Sequence, residues 1–253
     1  MRWAGFRKVR RQVCKRLQKR IVELELPDVD SYRQYLLSSA AEWQKLDFLC
    51  RITVSRFYRD KTVLHKFQGD VLPTLARAAA AAGDERLRVW SAGCARGEEA
   101  YTVTLIWDMA LRDDFPKLEI DVIGSDIDDD LLDRARLGCY ESSSVKALPE
   151  QWLNSGFTKH HTEYCLDARL RNKVKFFSQD IRDKTIEGPF HIIFCRNLAF
   201  TYFEHKLQLE VLDSLHTKLV DGGALVIGGH ESLPGGFCGF EPWSKQRAIF
   251  RKV

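Results

Sequence analysis

The sequence predicts an α/β protein: a doubly wound, mostly parallel sheet with helices on both faces, preceded by a small all-α domain. Three observations carry this. From Leu87 onwards, apolar runs of strand length alternate with helix-forming stretches, the pattern of strands joined by helical crossovers. A small-residue turn, Ser91 to Gly97, joins the first of these runs to a helix-forming stretch. Residues 1–60, by contrast, carry apolar positions at helical spacing.

Residues 1–20 hold nine Lys or Arg and no acid, and Val9, Val13, Leu17, Ile21 and Leu24 recur at helical spacing. That spacing predicts a basic amphipathic helix, ended by Leu26-Pro27-Asp28. A second helix is expected over 29–41, with Tyr32, Tyr35 and Leu36 facing inward, and a third over 42–50. The helical domain is taken as 1–60 and the α/β domain as 61–253. A helix over 64–82 leads into strand 87–91, helix 97–113, strand 119–124 and helix 129–137. Residues 138–156 read as irregular and 157–173 as polar. Strands at 174–178 and 190–195, a helix at 204–219, a strand at 223–229 and a final strand near 248–252 complete the series.

Strand, glycine turn, helix, strand and carboxylate form the layout of a nucleotide-binding half-domain. Gly93 and Gly97 allow a sharp turn and close approach of backbone to ligand. Asp126, just past the second strand, is placed to accept from ribose hydroxyls. The turn is not G-x-G-x-x-G, and its helix opens on Glu98 and Glu99. That pair suits a helix N-terminus but repels a pyrophosphate. The pattern therefore points away from NAD and towards a positively charged nucleoside without phosphate, such as S-adenosyl-L-methionine.

Composition narrows the class. With 253 residues and 45% hydrophobic content the chain can bury one large core and a small one. No apolar run approaches the ~18 residues of a membrane span, and the basic N-terminus lacks the apolar core of a secretory signal. Seven scattered cysteines without C-x-x-C pairs are expected as thiols in a reducing, cytoplasmic setting, with no zinc or other metal set and no disulfide frame. The net charge of +4 is modest, and its concentration in the first helix matters more.

Four segments in order, S-A-G-C-A-R-G-E-E-A-Y (91–101), S-D-I-D (125–128), F-C-R-N (194–197) and G-G-H-E-S (228–232), resemble the motifs of the CheR-type protein-glutamate methyltransferases. The similarity runs from about Lys8 to the C-terminus. It implies a Rossmann-like class I methyltransferase sheet with an antiparallel last strand, and a small β-subdomain inserted at 157–173. It implies S-adenosylmethionine as cofactor, S-adenosylhomocysteine as product, and methyl transfer to a protein glutamate carboxylate.

Carried over residue by residue, the resemblance makes Arg59 and Tyr202 the catalytic pair. Arg59 lies near the transferred methyl and can grip the acceptor carboxylate. Cofactor contacts fall to Thr53, Ser55, Arg59, Gly93, Glu99, Asp126, Asp180, Ile181, Arg196 and Asn197. Glu99 meets the methionine ammonium and Asp126 the ribose; Asp180 reads the adenine amine, with Ile181 packed on the ring. Glu98 is read as a helix N-terminal residue, and His230 and Glu231 as shaping the acceptor pocket.

The chain departs from the family pattern in three places. Thr53 and Ser55 stand where Asn and Thr are usual. Tyr202 follows Arg196 by six residues instead of five, which leaves Thr201 as an alternative occupant. The helical domain is shortened. The expected partner is an acidic or glutamate-bearing helical protein of the chemoreceptor kind. A basic face could also meet RNA or an anionic membrane, but no aromatic-interleaved basic groove supports nucleic acid. A methyltransferase with a small-molecule or nucleic-acid acceptor, and a cofactor-binding module without turnover, stay open at this point.

Overall fold

A computed structural model of the chain describes residues 3–7, 9–51, 53–182, 186–244 and 248–253. It divides into two compact units, Met1–Val54 and Ser55–Val253.

The first unit consists of α1 (Arg10–Glu23), α2 (Val29–Ser38) and α3 (Ala40–Cys50), each packed on the other two. Ile21, Tyr32 and Leu36 form its buried centre, with Leu17, Leu24, Leu26 and Leu46 around them. Asp28 caps α2 by accepting from the Ser31 amide, and Ser39 caps α3 by accepting from Glu42. The second cap moves the α2–α3 break to Ser39, ahead of the expected 41/42, because a serine in extended geometry satisfies an N-terminal amide that Ala41 cannot. Tyr35 was expected inside but is 37% exposed; the inward stripe of α2 is Tyr32 and Leu36. Glu42 is 3% exposed and accepts from Arg20 at 2.7 and 2.9 Å and from the Tyr32 hydroxyl. Hydrogen bonding to Arg20 outweighs desolvation and holds its carboxyl below the usual range. Arg7, Arg10, Arg11, Lys15, Arg16 and Lys19 line the exposed side of this basic segment.

The second unit begins six residues ahead of the expected 60/61 boundary, since Phe57 and Tyr58 are buried in its core. Helix α4 (Lys61–Lys66) continues through a π-helical turn at Phe67–Val71 into α5 (Leu72–Ala82), which ends on Gly83. Pro73 lies in the first turn of α5 and has no amide to donate backwards, which accounts for the irregular turn before it.

Strands β1 (Arg86–Ala92) and β2 (Glu119–Asp126) flank α6 (Glu98–Ala110), and α7 (Asp129–Leu137) follows β2. The stretch expected to be irregular holds β3 (Cys139–Glu141), α8 (Ser142–Val145) and α9 (Glu150–Gly156). Then come β4 (Phe157–His160), β5 (Glu163–Leu166), α10 (Ala168–Arg171), β6 (Val174–Ser178) and β7 (Phe190–Phe194). The chain finishes with α11 (Ala199–Tyr202), α12 (His205–Lys218), β8 (Leu219–Val226), β9 (Phe240–Pro242) and β10 (Ile249–Lys252).

The main sheet has the order β6-β2-β1-β7-β8-β10-β9. β6, β2, β1, β7 and β8 run parallel, whereas β10 is antiparallel to β8, as the resemblance implies, and to β9. Strand order reverses across β1 and β7, so the carboxyl ends of these two strands flank the switch point where α/β sheets bind ligands. Trp90 and Trp107 are fully buried in the core beneath it, and the Trp90 indole donates to Ser125 at 2.9 Å. No helix among the described residues is long and apolar enough to cross a membrane.

A separate antiparallel sheet, β3-β5-β4, forms the inserted subdomain. Two of its strands fall within 157–173, but the third comes from 139–141. This register sets Cys139 opposite Cys165, and the two form a disulfide with Cα atoms 4.0 Å apart. The expectation of unpaired thiols throughout is therefore corrected: Cys14, Cys50, Cys94, Cys195 and Cys238 are free. A thiol titration of the unfolded, unreduced protein is expected to count five thiols; a count of seven would remove the bridge.

Candidate active site

The site is built from the loops at the carboxyl ends of β1, β2, β7 and β8. β1 runs out at Ala92, and the next two amides, Gly93 and Cys94, both donate to the Ser125 carbonyl of β2 at 2.8 and 2.9 Å. The turn that follows passes through left-handed backbone at Gly93 (φ 72°), Ala95 (φ 52°) and Gly97 (φ 81°). A Cβ on Gly93 would lie 2.6 Å from the Leu198 side chain, and one on Gly97 2.8 Å from Phe176. Both glycines are thus required by backbone angle and by crowding.

Asp126 ends β2 beside this turn. Its Oδ2 accepts from the Ala95 amide at 2.8 Å and its Oδ1 from Asp128 at 3.1 Å. A carboxylate offers about four acceptor positions, so Asp126 keeps capacity for hydroxyl donors. Burial pushes its pKa above the ordinary 3.8 against the pull of those two amides.

Glu98 and Glu99 open α6 and take different surroundings. Glu98 is fully buried, with Oε1 accepting from Arg96 and Ser144 at 3.1 Å. Beyond its helix-terminal position it is part of a network in which Arg96 also grips Glu141 and the Tyr140 hydroxyl donates to the Arg96 carbonyl. Glu99 accepts from the Ser91 hydroxyl at 2.7 Å and from Arg196 at 2.9 Å.

Arg196 follows β7 and is only 7% exposed. One guanidinium nitrogen donates to Glu99; the other donates to the Arg59 carbonyl at 2.8 Å and to Asp60 at 2.9 Å. Arg196 is thereby held between two carboxylates. Asn197 has φ 56°, and its amide donates to Glu231 at 2.8 Å. Glu231 also accepts from the Gly228 amide and from the Thr201 hydroxyl at 2.5 Å.

The segment between Arg196 and Tyr202, one residue longer than expected for the family, turns sharply here. Left-handed Asn197 and Leu198 (φ −130°, ψ −98°) redirect the chain before α11 begins at Ala199. Thr201 is committed to Glu231, whereas Tyr202 is half-buried within electrostatic reach of Arg59 and Glu231. Burial pushes the Tyr202 phenol above its ordinary pKa, with Arg59 pulling it back in part.

The remaining expected residues divide. Ile181 is buried, and the Gln179 amide donates to the Asp126 carbonyl, which brings the end of β6 alongside β2. Asp180 is gripped by the amide and guanidinium of Arg182. Ser55 is half-buried in the second unit; Thr53 is exposed and falls in the first. His230 is exposed. Sequence reasoning passes over Asp60 and Ser91. Asp60 carries a readable signal, an acid directly before a helix start, but its partner Arg196 lies 136 residues away.

A switch-point carboxylate, an acidic helix start in place of a phosphate loop and a buried arginine define a nucleoside-binding α/β enzyme. Among known proteins, residues 53–249 match the family described as "CheR methyltransferase, SAM binding domain". The "Chemotaxis protein methyltransferase 2" of Vibrio cholerae is 32% identical over 233 residues, covering 87% of this chain and 77% of its own. The "Chemotaxis protein methyltransferase" of Salmonella typhimurium is 32% identical over 232 residues, covering 88% and 76%. The protein of the same name from Listeria monocytogenes is 27% identical over 222 residues, covering 88% and 81%. The chain belongs to the CheR methyltransferase family and is an S-adenosylmethionine-dependent methyltransferase.

The residues present fit that cofactor. Asp126 has acceptor capacity left for hydroxyls, and the carboxylates of Asp126 and Glu99 suit a cationic ligand. A pH test follows. Affinity for S-adenosylhomocysteine is expected to fall as pH drops from the raised Asp126 pKa towards 3.8, where the stronger, ionised acceptor is lost. Because the folded pKa is raised, this group's contribution to ligand-free stability runs the other way and improves as pH falls through that window. Calorimetric titration and thermal melts over one pH series check both slopes.

Proposed function

We propose that this protein esterifies glutamate side-chain carboxylates on a helical protein of the chemoreceptor kind. The observation that carries this reading is the position of Arg59. Its carbonyl is held by Arg196, the same side chain that binds Glu99, and its charge acts on Tyr202. In our reading the Arg59 guanidinium faces the acceptor carboxylate beside Glu99 and Asp126, as an acidic acceptor requires.

S-adenosylmethionine, when bound, supplies an activated methyl group on a sulfonium sulfur. In this reading Asp126 holds the ribose and Glu99 the ammonium, with Gly93, Asn197, Asp180 and Ile181 completing the cradle and Ser55 donating a hydroxyl. A glutamate with pKa about 4.3 is already ionised at neutral pH, so no residue need remove a proton. Arg59 orients one carboxylate oxygen, and Tyr202, a phenol that burial takes still further from ionising, serves as a hydrogen-bond donor. Orientation of this kind can supply up to about 7–11 kcal/mol of barrier reduction. A hydroxyl or amine acceptor would call for a base that titrates near neutral pH, and burial moves the Tyr202 phenol away from that range.

The relatives' names support a chemoreceptor acceptor. The exposed cations of α1 favour an acidic docking face, so productive docking should weaken as salt rises. We place the protein in the cytoplasm, where glutathione works against the Cys139–Cys165 disulfide that protein purified without reductant is expected to hold.

The test is incubation of purified protein with methyl-labelled S-adenosylmethionine and lysate from its own source, followed by mild base. Labelled methanol released from the protein fraction supports carboxyl methylation. Label that resists base, or that sits in small molecules or RNA, overturns the acceptor and leaves the cofactor standing.

A further inference from the structure

Arg59 sits between two non-glycine residues in left-handed backbone, Tyr58 (φ 54°) and Asp60 (φ 59°). Such geometry is uncommon and persists where surrounding contacts over-determine it. The contacts are present on both sides. The Tyr58 amide donates to the Thr102 hydroxyl at 3.2 Å, and Thr102 is itself fixed by the Glu98 carbonyl at 2.6 Å. On the other side, one nitrogen of Arg196 bonds both the Arg59 carbonyl and the Asp60 carboxylate. Gly229, shortly past the end of β8, lies against Asp60 as well, and its backbone helps hold that carboxyl low. Asp60 also begins α4, its carbonyl accepting from Val63 and Leu64.

We propose that Asp60 is a positioning residue for methyl transfer, which locks Arg59 over the acceptor site by tying its backbone to Arg196 and to Gly229 past the end of β8. The inference rests on the reading of Arg59 given above. Asp60 is 28% exposed at its side chain and Arg196 3%. Burial alone would raise the Asp60 pKa, yet Arg196, Arg59 and the Gly229 backbone together hold it low, so the clamp is ionised at neutral pH. Because Arg196 also holds Glu99, the carboxylate partners of a single side chain span the acceptor and cofactor ends of the site. A shift of Arg59 by about 1 Å is enough to cost roughly a hundredfold in rate.

Asp60→Asn is the informative variant, because asparagine accepts left-handed backbone and keeps one acceptor oxygen while removing the charge. Methylation of the source-lysate protein fraction, counted as base-released methanol, is expected to fall by roughly ten- to a hundredfold in kcat. The Kd for S-adenosylhomocysteine should stay within about threefold, and the thermal midpoint should leave the protein folded at assay temperature. Arg59→Lys alone and the double variant complete a cycle. If Asp60 acts through Arg59, the two losses are strongly non-additive. Additive losses, or an unaltered kcat for Asp60→Asn beside an impaired Arg59→Lys, overturn the positioning role and leave the reading of Arg59 intact. An unaltered kcat for Arg59→Lys overturns that reading and this inference with it.

Discussion

Asp126→Ala is expected to weaken binding of S-adenosylmethionine and S-adenosylhomocysteine by a hundredfold or more. A hydrogen bond to a charged acceptor contributes about 1.5–3 kcal/mol, and a ribose presents two hydroxyls to one carboxylate. The loss extends beyond those bonds. Asp126 already accepts from Ala95 and Asp128, so its removal leaves the amide of the glycine turn without an acceptor and loosens the cradle it borders. Asp126→Asn separates the two contributions, since it keeps one acceptor oxygen and roughly the same volume; about tenfold is expected. Calorimetric titration with S-adenosylhomocysteine measures both. An Asp126→Ala protein that binds within threefold of the parent would move the ribose site elsewhere.

The run from Arg86 to Asp126 is legible in the sequence because local signals agree along it. Strand pattern, glycine turn, acidic helix start and terminal carboxylate all point to one arrangement, and the structure places β1, α6 and β2 within a few residues of expectation. α7 is legible for the same reason, with Asp128 capping it and Gly138 closing it. The β-subdomain is half legible. β3 has three residues, no turn signal and a partner strand beyond two intervening helices, so only its pairing with β5 makes it a strand.

The connections between site residues are the least legible part. Arg196 reads as a cofactor ligand from its place after β7, but its role in the fold is set by Asp60 and Glu99, 136 and 97 residues earlier. Tyr202 shows the converse. It is expected five residues after the arginine and stands six after Arg196, and the left-handed turn at Asn197, whose amide donates to Glu231, redirects the chain between them. Tyr58, Asp60, Ala95 and Asn197, four non-glycine residues with positive φ, all border the site. Beyond glycine the residue code for such backbone is weak, Asn and Asp being only enriched in it, and long-range hydrogen bonds decide it.

Arg59→Ala is expected to lower kcat for methyl transfer by about a hundred- to a thousandfold, the loss typical of a preorganised electrostatic contact to the reacting group. Cofactor affinity should change by less than about threefold, because Asp126 and Glu99 are held by Ala95, Asp128, Ser91 and Arg196 without the Arg59 side chain. Arg196 bonds the carbonyl of residue 59, which alanine retains, so the clamp survives the substitution. The variant therefore removes the guanidinium, with its pull on Asp60 and Tyr202, and leaves the backbone clamp in place. Lysine restores the charge but not the two-pronged geometry, and should recover only part of the rate. Added guanidinium at millimolar concentration is expected to rescue Arg59→Ala measurably and the parent not at all. Retained turnover in Arg59→Ala, or a loss confined to cofactor affinity, would assign this arginine to the cofactor. The acceptor carboxylate would then have to be oriented by Tyr202 alone, and Tyr202→Phe would carry the large loss instead.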